Sequence, residues 1–274
     1  MLTTSLNRAL ALVPVIALAA CNADTGRPVG VSATDIGRVE HVVIIYLENR
    51  SFDHLYGEFP GAEGVAAGAR TAQAIQLDSA EQPYESLPQP QDSPAPDGLP
   101  DAPFNLDRFV SVSAPTRDVL HLFYEEQEEI DGGKMDDFVS TSDGEGLVMG
   151  YYHTADLPLS YEAQKYTLCD HFFHAAFGGS MINHIWAIAA ATPEFPNAPA
   201  SEVVILDADG KVVKNGGVTP DGYAVNDLQP ASNPHSASED PASLVPPQTM
   251  PTIGDRLSEK GISWAWYAEG WNAA

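Results

Sequence analysis

Basic side chains are scarce in this chain. Lys and Arg total 13 against 38 Asp and Glu, for a formal charge of −25. A field of that sign repels nucleic acid and anionic headgroups, which excludes both as non-specific partners. An anionic substrate would in turn need a local cation or metal. Cysteine is nearly absent, Cys21 and Cys169 being the two present. The fold therefore has to rely on its core rather than on covalent staples. What is there suffices for one: 274 residues, 44% of them apolar, allow one large α/β domain or two small ones.

The first residues read as an export leader. Arg8 supplies a short positive region, and residues 9–20 form an apolar stretch too short to cross a bilayer. The ending Leu18-Ala19-Ala20-Cys21 resembles the bacterial lipoprotein signal, in which the chain is cut before a cysteine that becomes lipidated. The alternative is an ordinary secretory signal with Cys21 incidental. We expect residues 1–21 to be the leader, 22–37 a small polar tether, and 38–274 the catalytic domain. The protein would then be exported and held on the membrane by lipid at Cys21.

The pattern reads as a chain organised around Arg38 to Gly57. Val42-Val43-Ile44-Ile45-Tyr46-Leu47 is apolar and β-branched, as suits a strand buried on both faces in a parallel sheet. Glu48 and Asn49 follow directly, hard oxygen donors where α/β sheets collect ligands, so they are candidate metal ligands. The plainer reading is a polar loop leaving the sheet. Residues 58–107 read as a long excursion whose Pro-rich part lies extended on the surface. From Asp118 the pattern predicts a helix, with Val119, Leu120, Phe123, Tyr124 and Gln127 on one face and Glu125, Glu126, Glu128 and Glu129 on a solvated one. His121 falls in its first turn, and Asp131-Gly132-Gly133 ends it. A short helical segment follows near 134–139, and another helix is predicted over 159–167.

Phe177-Gly178-Gly179-Ser180-Met181-Ile182-Asn183-His184 is the second chemical centre. A helix is expected from Ser180 to about Ala191, stopped by Thr192-Pro193. Ser180 would stand at its start, where unpaired N–H groups and the helix dipole favour a phosphate oxygen. Asn183 and His184 fall one turn on, on the same side. A serine there also serves simply as a helix cap. Beyond it, residues 203–213 predict a hairpin, 252–260 a short helix ended by Gly261, and 262–267 a buried strand.

These stretches together resemble the bacterial phosphoesterase family that contains acid phosphatases and phospholipase C enzymes. The carriers are HVVIIYLENRSFDHLYG, IDGGKMDDFV, GLVMGYYH, YTLCDHFFHAAFGGSMINHIW and TIGDRLSEKGISWAWYAEGWN, in that order. The resemblance implies an alkaline-phosphatase-like α/β fold, a mostly parallel sheet flanked by helices. It also implies phosphate-ester hydrolysis through a metal-bound hydroxyl nucleophile. Glu48 and Asn49 match metal ligands for a divalent cation of the Mg, Ca or Mn type. Ser180 matches the nucleophile, which is Ser in the phosphatases and Thr in the phospholipase C branch. His121 matches, loosely, a histidine that binds the phosphoryl group; Asn183 is expected to bind substrate, and His184 to act in catalysis. Family members continue past the GWN segment with a His-His pair and an acidic pair, so the chain is expected to be truncated relative to them. An acid-phosphatase-like phosphomonoesterase is the leading expectation. A phospholipase C is the near alternative, and a non-catalytic surface lipoprotein that keeps the fold is the alternative from another class.

Overall fold

The structure, a computed structural model, describes residues 37–48, 50–65 and 75–268. The chain divides into two units, Met1–Glu48 and Asn49–Ala274. The leader, Cys21, most of the tether and Asn49 lie outside the described residues.

In the first unit, residues 42–47 belong to neither sheet, and their side chains stand in solvent, Val43 at 82% and Ile44 at 84% exposure. The expected central strand is therefore corrected. A β-branched run makes a strand only where a neighbour accepts and supplies its backbone hydrogen bonds. No strand among the described residues pairs with it. The expected strand at 262–267 fares likewise. Tyr267 is 90% exposed, and Trp264 turns back so that its Nε1 donates to Ser258 Oγ at 3.0 Å.

The second unit is mixed α/β. Its described helices are α1 (Phe52–Tyr56), α2 (Phe123–Ile130), α3 (Phe138–Thr141), α4 (Pro158–Lys165), α5 (Ser180–Ala189) and α6 (Ile253–Glu259). Its described strands are β1 (Phe104–Asn105) and β2 (Gly150–Tyr151), which run parallel, and β3 (Ile205–Leu206) and β4 (Val212–Lys214), which run antiparallel. Among the described residues the sheet content is two short pairs, one of them parallel, in place of the mostly parallel sheet expected, and residues 42–47 and 262–267 join neither. The hairpin forms as expected. Asp207 Oδ1 accepts from the N–H groups of Asp209 and Lys211, both at 2.9 Å, which closes the turn. Helix α6 also matches, with a capping box between Thr252 and Asp255.

Helix α2 starts at Phe123, later than the periodicity predicts. The backbone ahead of it is drawn off to side chains instead. Leu120 N–H donates to Asp143 Oδ1 at 2.9 Å, and Asp143 is itself held by Arg117 at 2.9 Å. Asp131, in the left-handed region at φ 39°, ends the helix where the Asp-Gly-Gly signal placed it.

Two apolar clusters form the core. Phe195, Val218, Ala224 and Val245 make one, with Met181 of α5 packed against it. Leu106, Leu147 and Tyr152 make the other. His54 of α1 stacks on Tyr152 at 5.1 Å between ring centroids. Burial, with Arg50 nearby, pushes that imidazole down to about 4. The Pro-rich part of the excursion has exposed stretches but is anchored at its start. Leu87 is fully buried and pairs with Leu99, and Gly146 N–H donates to Pro88 O at 2.9 Å. Proline carbonyls still need donors even where proline N–H groups are missing, and α3's neighbourhood supplies them. Among the described residues no helix is long and apolar enough to cross a membrane.

Gln76, 1% exposed, ties the excursion to α3. Its Oε1 accepts from Phe138 N–H at 2.9 Å and Val139 N–H at 3.3 Å, and its Nε2 donates to Met135 O at 2.9 Å. Replacing it with leucine strands buried donors at the start of α3. We expect Gln76→Leu to lose about 2–3 kcal/mol of stability, read as a lower urea midpoint at unchanged slope. A midpoint equal to the parent's would show that these bonds do not carry the segment.

Candidate active site

Helix α5 begins with Ser180 at its first position, after the turn Gly178-Gly179. Gly178 adopts φ 107°, and a Cβ there would lie 2.0 Å from Val225 O. At Gly179 a Cβ would lie 2.4 Å from Asp227 Oδ1. Both glycines are required by close approach of another chain segment. Residues 225–227 make that approach. Val225 O accepts from Gly179 N–H at 3.3 Å, and Asp227 Oδ1 accepts from Met181 N–H at 2.8 Å. Between them, the buried Asn226 accepts at Oδ1 from Phe123 N–H, 2.8 Å away, and donates from Nδ2 to Gly216 O at 2.8 Å. One tripeptide thus holds the serine turn and the start of α2 together.

Helix α2 completes the enclosure. Glu126 Oε2 accepts from Gly178 N–H at 2.7 Å. Burial pushes the Glu126 carboxyl up, partly offset by that N–H and by nearby His121. Burial, with Glu126, Glu125 and Asp143 around it, pushes Glu129 up to about 8. The acidic face expected to be solvated is therefore in part a packed one. Glu126 falls between Phe123 and Ile130 at helical spacing, so its inward side was legible in the periodicity. Asn226 and Asp227 carry no local signal, since only the tertiary fold brings residue 227 to the serine.

The candidate residues are brought together to different degrees. His121 precedes α2 rather than sitting in its first turn, close enough to Glu126 to act on its charge. Its Nε2 is buried without a hydrogen-bond partner. Asn183 is buried, and its Nδ2 donates to the carbonyls of Gly178 at 3.2 Å and Gly179 at 3.3 Å. Its Oδ1 is likewise buried and without a partner. His184 Nδ1 lies 2.7 Å from Ser180 O. A carbonyl can only accept, so Nδ1 bears the proton and Nε2 carries the lone pair of the neutral ring. Glu48 is exposed, in the other unit. Ser180 stands at the edge of an opening, but of the N–H groups at the helix start that of Met181 is already taken by Asp227 Oδ1. The opening is a cleft of about 500 Å³, lined by Ser180, His184, Ile185, Pro230, Val245 and Pro247 among others. Elsewhere, oxygens of Asp131, Asp136 and Asp137 lie within 4.8 Å of one another, with Lys134 paired to Asp131.

The model of the phosphoesterase family matches residues 39–274. The chain belongs to the phosphoesterase family. The phosphoesterase chain is also 28% identical over 150 residues to the non-hemolytic phospholipase C of Pseudomonas aeruginosa, covering 54% of this chain and 20% of that protein. Phospholipase C A of Mycobacterium tuberculosis is 28% identical over 163 residues, 56% of this chain and 29% of its own. The hemolytic phospholipase C of Pseudomonas aeruginosa is 25% identical over 237 residues, 85% of this chain and 26% of its own. The chain therefore spans between a fifth and a third of the length of these relatives.

Two outcomes follow from this geometry. Gly178→Ala puts a methyl group against Val225 O in a backbone region closed to alanine, and we expect a loss above about 3 kcal/mol by urea denaturation. The Glu129 carboxyl keeps its proton in the folded chain after the unfolded chain has lost it. Its contribution to stability accordingly declines as pH rises from about 4.5 to about 8. Urea midpoints taken across that window should fall less steeply in Glu129→Gln, with the largest gain at the alkaline end. An unaltered slope would remove Glu129 as the source.

Proposed function

We propose that the protein hydrolyses phosphate esters with Ser180 as nucleophile, within an alkaline-phosphatase-like fold. The observation that carries this reading is Ser180 at the first position of α5, at the lip of an open cleft. The turn around it is braced by hydrogen bonds from four residues, Glu126, Asn183, Val225 and Asp227, which is more than a helix cap requires. Ser180 Oγ attacks phosphorus, the Oγ–P bond forms and the ester P–O bond breaks, and the leaving alkoxide takes a proton. Water then cleaves the phosphoserine and restores the hydroxyl. His184, with its lone pair at Nε2 and its place in the cleft wall, is the proton carrier. The buried Nε2 of His121 has no partner and, when it bears a proton, can donate to a phosphoryl oxygen, whereas Asn183 spends its Nδ2 on the carbonyls of Gly178 and Gly179 and so acts on substrate through the turn it holds.

We propose a hard divalent cation of the Mg, Ca or Mn type as cofactor, with the Glu48 carboxylate and the Asn49 amide oxygen, hard oxygen donors of the kind such ions take, as its candidate ligands; Asn49 lies outside the described residues. When bound, such a cation neutralises phosphoryl charge and lowers the pKa of a coordinated hydroxyl. The electrostatics call for it, since Glu126 and Asp227 flank the serine turn and no Lys or Arg lines the cleft among the described residues. We further propose export and lipid anchoring at Cys21, from the leader.

Serine at position 180 favours an acid-phosphatase-like phosphomonoesterase. The phospholipase C names of the three relatives favour the second reading, a phosphodiesterase acting on lipid headgroups. Hydrolysis of p-nitrophenyl phosphate against p-nitrophenyl phosphorylcholine by the full-length protein separates them. Under either reading Ser180→Ala should lower kcat by at least about a thousandfold with the melting temperature moved only slightly, because one oxygen at a helix start is lost. Hydrolysis at the parental rate would rule out Ser180 as the nucleophile.

A further inference from the structure

We propose that Glu126 is a positioning residue for Ser180: its carboxylate grips Gly178 N–H and so sets the direction in which the serine leaves the turn. This role rests on Ser180 being the nucleophile proposed above.

Three geometric facts carry it. Gly178 has a left-handed φ of 107°, so the peptide entering the serine turn is not held in place by regular helix or sheet bonds. The Glu126 Oε2 contact, at 2.7 Å, is the shortest hydrogen bond to the turn, and it has an ionisable acceptor. Its partner on the far side is the Asp227 Oδ1 contact with Met181 N–H at 2.8 Å, so Ser180 stands between two carboxylate grips reaching in from distant segments. Asn226 accepts from Phe123 N–H at 2.8 Å and fixes the helix that carries Glu126 to the segment that carries Asp227. The grips therefore cannot drift independently. Serine attack on phosphorus is sensitive to the angle of the Oγ–P approach, and small misplacement lowers the rate far more than it lowers affinity.

The test uses the full-length protein with saturating divalent metal, comparing Glu126→Ala, Glu126→Gln, Glu126→Asp and Ser180→Ala. Glutamine keeps an accepting oxygen at the same reach, whereas aspartate is one methylene too short. We expect Glu126→Ala and Glu126→Asp to lower kcat about a hundredfold with KM within about threefold, and Glu126→Gln to recover to within about fivefold of the parent. Amide hydrogen exchange over residues 177–181 should speed up in the alanine and aspartate variants and return to the parental rate in the glutamine variant. Equal kcat in parent and Glu126→Ala overturns the proposal, as does a Gln variant as impaired as Ala. Should the alanine form fail to fold, equal activity of the aspartate and glutamine forms overturns it. An active Ser180→Ala sinks the nucleophile assignment instead, while exchange at Gly178 still reports whether the grip exists.

Discussion

The serine turn can exist only because residues 225–227 run beside it. Each of these three residues satisfies a different element: Val225 O takes Gly179 N–H, Asn226 Oδ1 takes Phe123 N–H, and Asp227 Oδ1 takes Met181 N–H. The approach is close enough to exclude any side chain at Gly178 and Gly179. Buried backbone donors without partners are costly, so the tripeptide and the turn stabilise each other, and neither is arranged this way alone. Anchoring of the tripeptide is in turn apolar. Ala224 and Val225 are buried, and Ala224 belongs to the cluster against which Met181 packs. Core, tripeptide and serine turn form one continuous support.

Charge is the second theme, and it follows from composition down to single atoms. A chain at −25 places carboxylates even where they face inward. Burial raises Glu126, opposed by the Gly178 N–H and His121, and brings Glu129 to about 8, reinforced by Glu126, Glu125 and Asp143. Near Ser180 the result is a site rich in hydrogen-bond acceptors and poor in cations. Chemistry on a phosphate ester is then compatible with the site only if positive charge arrives from outside the described cleft, which is the physical reason a divalent ion belongs to the functional reading.

Local signals in the chain were read well where they are self-contained. Capping by Thr252 and Asp255, the turn at Asp207, the Asp-Gly-Gly stop after α2 and the start of α5 at Ser180 each depend on residues within one turn of one another. The Glu-rich stretch of α2 is half legible: the helix and the spacing of Glu126 with Phe123 and Ile130 stand in the pattern, but the Gly178 N–H that Glu126 holds lies 52 positions away. Residues 42–47 and 262–267 show the opposite failure. Their composition describes what a strand would bury, and strand formation is decided by a partner elsewhere in space.

By itself, then, the sequence determined the family, the short helices and turns, the acidic balance and the serine at a helix start, because those depend on neighbours along the chain. Tertiary structure alone decided that Asn226 and Asp227 would brace the serine, that Glu126 would hold Gly178, and that Leu87 and Gln76 would be buried and so anchor the excursion. These contacts join residues separated by tens of positions. Their energy comes from satisfying a donor or filling a space that no local window of sequence contains.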